Sequence, residues 1–285
     1  MTLNEVMRNA KPSRTAQRVA MRRAAHQLLD HPKVFEDPLA VAIAGGESEL
    51  PSDASRPYSR TLRAFLAARS RYAEDRLAAA VARGVLQYVA LGAGLDTFAY
   101  RNPFRAAGLH VFEVDHPATQ EWKRARLGEA HISIPKETTF AAVDFERQSL
   151  SDGLLSAGFK KRRPAFFSWL GVTPYLSRPA FDATIQFIAG MPASSGMVFD
   201  FALERSLLSL REQRTLDVLA ARVALAGEPF RLFFDPVVLV RDLTLLGFGN
   251  IEDLSRDQIN ARYFAGRSDG LAVSGGGHLL SGWVV

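Results

Sequence analysis

Short apolar runs alternate with polar stretches of helical length in the part of the chain that follows Gly84. This alternation is typical of strands and helices that wind around a mainly parallel sheet. The runs that predict strands are residues 87–91, 110–114, 139–143, 165–169, 197–201, 250–254 and 278–285. The predicted fold class is therefore α/β, with a mainly parallel seven-stranded sheet.

Helical spacing replaces this alternation in the first part of the chain. Apolar residues recur every three or four positions over residues 16–28 and again over 61–83, which predicts two amphipathic helices. Arg69 lies seven positions after Leu62 and four after Phe65, on the apolar face of the second helix. A buried arginine requires an anion, so Arg69 is predicted to face an anionic partner.

These patterns predict how the chain is organised. Residues 1–84 form an N-terminal helical cap, residues 85–285 form the main domain, and the two make one compact unit. Within the main domain, residues 203–246 are longer than a simple crossover requires and predict a helical insertion. The cap and the insertion are expected to cover the carboxyl edge of the sheet, where ligands of such folds bind.

A glycine-rich turn follows the first predicted strand. Gly92 and Gly94 let the backbone approach a ligand closely, although glycines in such turns also serve purely steric needs. Asp115 ends the second predicted strand, about 20 positions further on, where it can accept hydrogen bonds from both hydroxyls of a ribose. Alternatively, Asp115 caps the helix that Pro117 begins. The combination of the glycine turn with an acidic residue at the end of the next strand favours a site for an adenosine-containing cofactor.

The spacing of the glycines distinguishes between two cofactor classes. A dinucleotide site has a third glycine, where this chain has Thr97, and Asp96 lies where the diphosphate would arrive. An acidic residue there repels phosphate but tolerates a sulfonium and an ammonium group. A third polar position follows at Asp144, which could bond the adenine amino group with Phe145 against the ring, or could cap a helix.

Seven segments of the chain form an ordered set of motifs: residues 13–16, 35–38, 69–72, 91–97, 112–117, 144–145 and 169–176. Together they resemble the leucine carboxyl methyltransferase family and its bacterial O-methyltransferase relatives. The resemblance implies a Rossmann-like class I methyltransferase fold and S-adenosyl-L-methionine as cofactor, with S-adenosyl-L-homocysteine as product. It implies that Arg69 binds the methionine carboxylate, Gly92 lines the turn, Asp115 binds the ribose and Asp144 the adenine region, with Arg71 replacing Arg69 if the helix register differs.

The chain departs from the family pattern after the fourth strand, where Leu170 replaces a glutamate. Any polar contact that this glutamate makes in the family must come here from the backbone, from Thr173 or from elsewhere. Trp169 could face the sulfonium, although a buried core tryptophan is the favoured interpretation.

The acceptor is less constrained by the residues. The resemblance favours an oxygen of a small molecule as the acceptor atom. A carboxylate acceptor needs no base, whereas a hydroxyl acceptor would need one. The candidate bases are His116, Tyr175 and His26, and the sequence singles out none of them. The competing hypotheses are an NAD-dependent oxidoreductase and a cofactor-binding module without turnover.

Composition limits the partners of the chain. The formal net charge is +5, and the basic run at residues 160–163 directly precedes an apolar strand, so a solvated loop is favoured over a nucleic-acid surface. Cysteine is absent, which excludes thiolate zinc sites, and we predict no metal ion. No apolar run approaches the roughly 18 residues of a membrane span. We therefore expect a cytoplasmic protein that binds neither nucleic acid nor membrane.

Overall fold

All seven predicted strands are present in the computed structural model, which describes residues 14–47, 56–144, 148–225 and 227–285. Their bounds differ from the predicted ones by no more than two residues. They are β1 (Gln87–Leu91), β2 (His110–Asp115), β3 (Thr138–Ala142), β4 (Phe166–Trp169), β5 (Gly196–Ala202), β6 (Phe248–Leu254) and β7 (Gly277–Val284).

The strands form one sheet in the order β3-β2-β1-β4-β5-β7-β6. Strands β1 to β5 run parallel to one another, whereas β7 runs antiparallel to both β5 and β6. The order reverses between β1 and β4, so the connections that leave these two strands diverge and open a crevice at their carboxyl ends. The predicted mainly parallel sheet is thus confirmed, and its topology places a ligand site beside β1 and β4.

The helices surround this sheet. They are α1 (Arg14–Leu29), α2 (Ala40–Ala44), α3 (Pro57–Ala82), α4 (Phe98–Arg101), α5 (Pro117–Glu129), α6 (Leu150–Ser156), α7 (Arg178–Ala189), α8 (Leu210–Leu225), α9 (Pro236–Leu245) and α10 (Arg256–Tyr263). Helix α3 begins before the predicted residue 61 because Pro57 occupies a first-turn position, where its missing N–H costs nothing. The predicted insertion contains α8 and α9.

Alternate residues of each central strand pack on opposite faces of the sheet. In β1, Tyr88 and Ala90 belong to one apolar cluster, which also includes residues of α1 and α3, and Val89 and Leu91 belong to the other. The second cluster contains Trp169, which is 2% exposed and stacks on Phe181 with 5.5 Å between ring centroids. Trp169 is therefore a core residue, as the sequence favoured.

Within these described ranges, the helices are each too short or too polar to cross a membrane.

Candidate functional site

A cavity of about 1130 Å³ opens at the carboxyl ends of β1 to β4, where the reversal in strand order predicts a site. Helix α1 and a segment that we call the roof (residues 227–231) lie over it. The volume exceeds the roughly 300–1,000 Å³ of a typical small-molecule pocket. The cavity therefore has room for a cofactor and a second small ligand.

The glycine turn forms one wall of this cavity. Gly92 and Gly94 have φ angles of +64° and +46°, which residues with a side chain rarely adopt. A Cβ on Gly92 would lie 2.3 Å from Cγ2 of Val172, and one on Gly94 would lie 3.2 Å from Cβ of Ala16. Backbone conformation and close neighbours therefore favour glycine at both positions, most strongly at Gly92, whether or not a ligand is bound.

Asp115 stands at the end of β2 and lines the same cavity. Its Oδ2 accepts the Gly94 N–H at 2.6 Å, and its Oδ1 accepts the N–H of His116 at 2.7 Å. Burial raises the pKa of Asp115, while these two amide donors act in the opposite direction. The N-cap of α5 is His116, whose Nδ1 accepts from Ala118. The alternative in which Asp115 caps that helix is therefore wrong.

Asp144 follows β3 and also lines the cavity. Its main-chain N–H donates to the side chain of Gln148 at 3.1 Å, and the next described helix, α6, has Ser149 as its N-cap. The predicted adenine contact of Asp144 stays a prediction. Phe145, the residue predicted to lie against the ring, is outside the described residues.

Arg69 is buried on α3 and lines the cavity, as its position on the apolar face predicts. The expectation that a cofactor carboxylate binds Arg69 stays a prediction, and an anion for the buried guanidinium is already present in the protein. Nη1 of Arg69 donates to Oδ2 of Asp200 at 3.1 Å, so the protein itself provides an anionic partner. The sequence analysis did not identify Asp200, although an acidic residue inside the apolar run of β5 was the available signal.

Asp96, the acidic residue predicted to repel a diphosphate, is also paired with an arginine. Its Oδ2 lies 3.0 Å from Nη1 of Arg23, and Nη2 of Arg23 lies 2.6 Å from Asp37. Burial alone would raise the pKa of Asp96, but Arg23 and Arg101 hold it below its ordinary value. At the position of the missing third glycine, the buried Thr97 hydroxyl donates to Asp37.

The whole cavity wall nevertheless keeps an acidic balance. Three arginines face five carboxylates, a formal excess of two negative charges with histidine neutral. These residues are Arg23, Arg69, Arg231, Asp96, Asp115, Glu121, Asp144 and Glu228. Such a wall favours a cationic ligand over a dianionic one.

The three candidate bases occupy different surroundings. His26 is buried and does not line the cavity. Its Nδ1 lies 2.8 Å from Oδ2 of Asp30, and its Nε2 accepts two backbone N–H groups, so its role is structural. His116 lines the cavity, but its Nδ1 is occupied by the helix cap. Tyr175 lines the cavity too, and burial raises its pKa to about 12, so the phenol keeps its proton at neutral pH.

The roof is tied to the start of α1. The backbone N–H of Thr15 donates to Oε2 of Glu228 at 3.2 Å, and the hydroxyl of Thr15 contacts the same oxygen. A carboxylate at a helix N-terminus satisfies an otherwise unpaired N–H and interacts favourably with the helix dipole. The sequence analysis missed this contact because its partners lie 213 residues apart.

The strand order, the glycine turn and the acidic end of β2 are together those of a Rossmann-like class I methyltransferase fold. A sequence model of the leucine carboxyl methyltransferase family matches residues 16–189, more than half of the chain, and the chain belongs to this family. The predicted family, class and cofactor, S-adenosyl-L-methionine, are thereby confirmed.

Two curated relatives support this membership. A Bacillus subtilis protein named "Putative S-adenosyl-L-methionine-dependent methyltransferase YktD" is 37% identical over 207 residues, which cover 72% of this chain and 68% of that protein. A protein of Parafrankia, named in the same terms, is 36% identical over 152 residues. The match covers 51% of this chain and 48% of that relative, about half of its length.

Two solved structures share the fold. A "putative methyltransferase" from Thermobifida fusca superposes with a TM-score of 0.60 at 16% identity, over 98% of this chain and 97% of that one. A DUF574 family protein from Streptomyces avermitilis gives a TM-score of 0.58 at 15% identity, over 85% and 94% of the two chains. At these identities the likeness concerns the fold alone.

Proposed function

We propose that this chain binds S-adenosyl-L-methionine in the cavity and transfers its methyl group to an oxygen of a small molecule. Asp115 binds the ribose, the Gly92–Gly94 turn lies against the adenosine, and Asp144 and Phe145 contact the adenine. Arg69 binds the carboxylate of the amino-acid end. When bound, the cofactor supplies an electrophilic methyl group, and the chain supplies alignment and a preorganised cavity wall.

The observation that carries this proposal is the contact between Asp115 and the glycine turn. The Gly94 amide fixes one carboxylate oxygen at 2.6 Å, so the end of β2 and the end of β1 form a single rigid edge. The carboxylate retains lone pairs for further donors, since each oxygen accepts more than one hydrogen bond. Two adjacent ribose hydroxyls are donors of the required kind.

The charge of the cavity supports a sulfonium cofactor over a dinucleotide. A diphosphate would add two negative charges to a wall that already has an excess of two. S-adenosyl-L-methionine brings two positive groups and one negative group, and the negative group has Arg69 as a partner. Arg23 compensates the charge of Asp96, so the net charge of the whole wall, and not Asp96 alone, disfavours a diphosphate.

The surroundings of the candidate bases support oxygen as the acceptor atom, with a carboxylate as the simplest case. Tyr175 is protonated at neutral pH and therefore offers a hydrogen-bond donor to the acceptor rather than a base. A carboxylate is ionised without help from the protein, whereas a hydroxyl would need an additional proton acceptor. Both acceptor types stay within the proposal, and product analysis separates them.

The test is a release assay for S-adenosyl-L-homocysteine with a panel of small carboxylic acids, phenols, alcohols and amines, followed by mass spectrometry of the products. The expected product carries the new methyl group on oxygen. A methyl group on nitrogen, carbon or a protein side chain would contradict the proposal. Asp115→Asn should lose turnover, whereas Asp257→Asn, on the exposed face of α10, serves as the matched control.

A further inference from the structure

We propose that Asp200 is a positioning residue for the amino-acid end of the methyl donor, acting through Arg69 and the backbone of Gly171. The inference rests on the proposed function, which assigns the cofactor carboxylate to Arg69. Arg69 and Gly171 line the cavity, whereas Asp200 lies behind them in β5. Asp200 therefore acts on the ligand through these two residues.

Asp200 holds three segments together. It is 5% exposed, and its Oδ1 accepts the N–H of Gly171 at 2.6 Å while its Oδ2 accepts Nη1 of Arg69 at 3.1 Å. Its main-chain oxygen also accepts the hydroxyl of Thr173 at 2.5 Å. One residue of β5 thus binds both α3 and the turn after β4, because the two oxygens of its carboxylate accept hydrogen bonds from different partners.

The guanidinium of Arg69 is confined by the Gly171 backbone. Gly171 has a φ of +72°, and a Cβ on it would lie 2.7 Å from Nη1 and 2.9 Å from Nη2 of Arg69. A guanidinium is planar and presents donors along more than one edge. Because Asp200 takes one donor and Gly171 lies against the group, the remaining donors have a fixed direction at the cavity wall. A carboxylate that enters the cavity therefore meets a preorganised partner.

The turn after β4 has no acidic residue of its own, since residues 169–176 read Trp-Leu-Gly-Val-Thr-Pro-Tyr-Leu. Asp200 brings a carboxylate to this turn from the next strand. It also compensates the buried charge of Arg69, which would otherwise be costly in this position. A single side chain thus neutralises the arginine and sets the position of the turn.

A competing interpretation predicts the opposite sign. If Asp200 only competes with the ligand carboxylate for Arg69, its removal would free the guanidinium and strengthen binding. If Asp200 only maintains the fold, its removal would weaken every ligand of the cavity to the same degree. These interpretations separate when one ligand has the amino-acid group and another does not.

The experiment is calorimetric titration of the wild-type protein and of Asp200→Asn with three ligands. They are S-adenosyl-L-methionine, S-adenosyl-L-homocysteine and 5′-methylthioadenosine, which has the adenosine and the sulfur but no amino-acid group. We expect Asp200→Asn to weaken the first two by about tenfold to a hundredfold, the usual effect of losing charge-assisted hydrogen bonds. Binding of 5′-methylthioadenosine should change less than about twofold, and should also show that the variant is folded.

Two further variants complete the test. Asp200→Glu keeps the charge and should recover part of the affinity, which also covers the case in which Asp200→Asn does not fold. Asp217→Asn, at a position on α8 that forms an exposed pair with Arg205, is the matched control and should leave all three affinities unchanged. Equal weakening of all three ligands by Asp200→Asn, tighter binding of S-adenosyl-L-methionine, or no change would each overturn the inference.

Failure of the proposed function would give a different result. If Arg69→Gln left the affinity for S-adenosyl-L-methionine unchanged, the assignment of Arg69 would be wrong, and the role of Asp200 would be overturned with it. A large effect of Arg69→Gln without any effect of Asp200→Asn would overturn the role of Asp200 alone.

Discussion

The two ends of the cavity are built in different ways. At the end where we propose that the ribose binds (the ribose end), Gly92, Gly94 and Asp115 lie at the ends of adjacent strands that follow each other closely along the chain, and backbone groups fix the geometry. At the end where we propose that the amino-acid group binds (the amino-acid end), Arg69 and Asp200 are 131 residues apart and meet as a buried ion pair. The ribose end therefore has a local sequence signature, whereas the amino-acid end depends on the tertiary fold.

This difference has an energetic side. Backbone conformation at the ribose end depends on glycine, so an added side chain disturbs the turn whatever its polarity. The amino-acid end depends on charge compensation, so removal of one partner leaves an unpaired buried charge. Variants at the two ends should thus differ in which ligands they affect, and the following predictions run from the largest expected effect to the smallest.

Gly92→Ala should have the largest effect. Its Cβ would lie 2.3 Å from Cγ2 of Val172, and the φ of +64° is unfavourable for alanine. We expect the free energy of unfolding to fall by about 2 to 4 kcal/mol, with loss of measurable cofactor binding. Urea unfolding and calorimetry measure both quantities. Gly108→Ala is the matched control, because its φ is +86° and no atom lies within 4 Å of the added Cβ. It should cost only about 1 kcal/mol and leave binding intact.

Asp115→Ala should weaken all adenosine ligands. Loss of the ribose partner is expected to cost about 1 to 3 kcal/mol of binding free energy. The same loss should appear with 5′-methylthioadenosine, because it shares the ribose with S-adenosyl-L-methionine and S-adenosyl-L-homocysteine. Asp200→Asn, by contrast, should leave the affinity for 5′-methylthioadenosine almost unchanged. Calorimetry with the three compounds makes this comparison. Normal affinity for 5′-methylthioadenosine in Asp115→Ala would show that the ribose lies elsewhere.

Acid should destabilise the chain through Asp30, away from both ends of the cavity. Burial alone would raise the pKa of Asp30, but Arg63 and His26 lower it to about 2, from 3.8. Its ion pairs therefore stabilise the folded state fully above pH 3.8, and this contribution of about 2 kcal/mol is lost as the pH falls towards 2. Urea unfolding at pH 6 and pH 3 measures the part of this contribution that is lost by pH 3, about half of it.

Asp30→Asn serves as the comparison for that acid effect. It should be less stable than the wild type at pH 6, and the gap should narrow at pH 3. A gap that stays constant between the two pH values would contradict the assignment of the effect to this carboxyl group.

Glu228→Gln should have the smallest effect. The contact between Glu228 and the start of α1 is partly exposed, so its loss is expected to cost at most about 1 kcal/mol. Because the roof lies over the cavity, the dissociation rate of S-adenosyl-L-methionine should rise a few-fold in stopped-flow measurements. Glu204→Gln, at an exposed position, should leave the rate unchanged, and an equal rate in both variants would mean that the roof does not restrict exit.

The sequence predicted the elements whose signals are local. Apolar periodicity identified all seven strands and the long helix α3, and strand ends identified Gly92, Gly94 and Asp115 as neighbours. The inward direction of Arg69 was predicted correctly from its position on α3. Its anionic partner was assigned to the ligand alone, because nothing in the sequence links α3 to β5.

The contacts that the sequence did not predict are those between distant segments. Asp200 reaches Arg69 only after β5 is placed in the sheet, and Glu228 reaches Thr15 only after the roof has folded over α1. Arg23 lies in a helix whose apolar stripe was recognised, but its pairing with Asp96 and Asp37 joins three segments. In each case a polar residue inside or beside an apolar run was the only local signal.

The most direct test of the account is a crystal structure of the chain with S-adenosyl-L-homocysteine, measured for the position of the ribose. We predict that both ribose hydroxyls lie within about 3 Å of the Asp115 carboxylate, with the amino-acid end towards Arg69. A ribose placed away from Asp115, or a ligand bound outside the cavity at the ends of β1 and β4, would contradict the central claim.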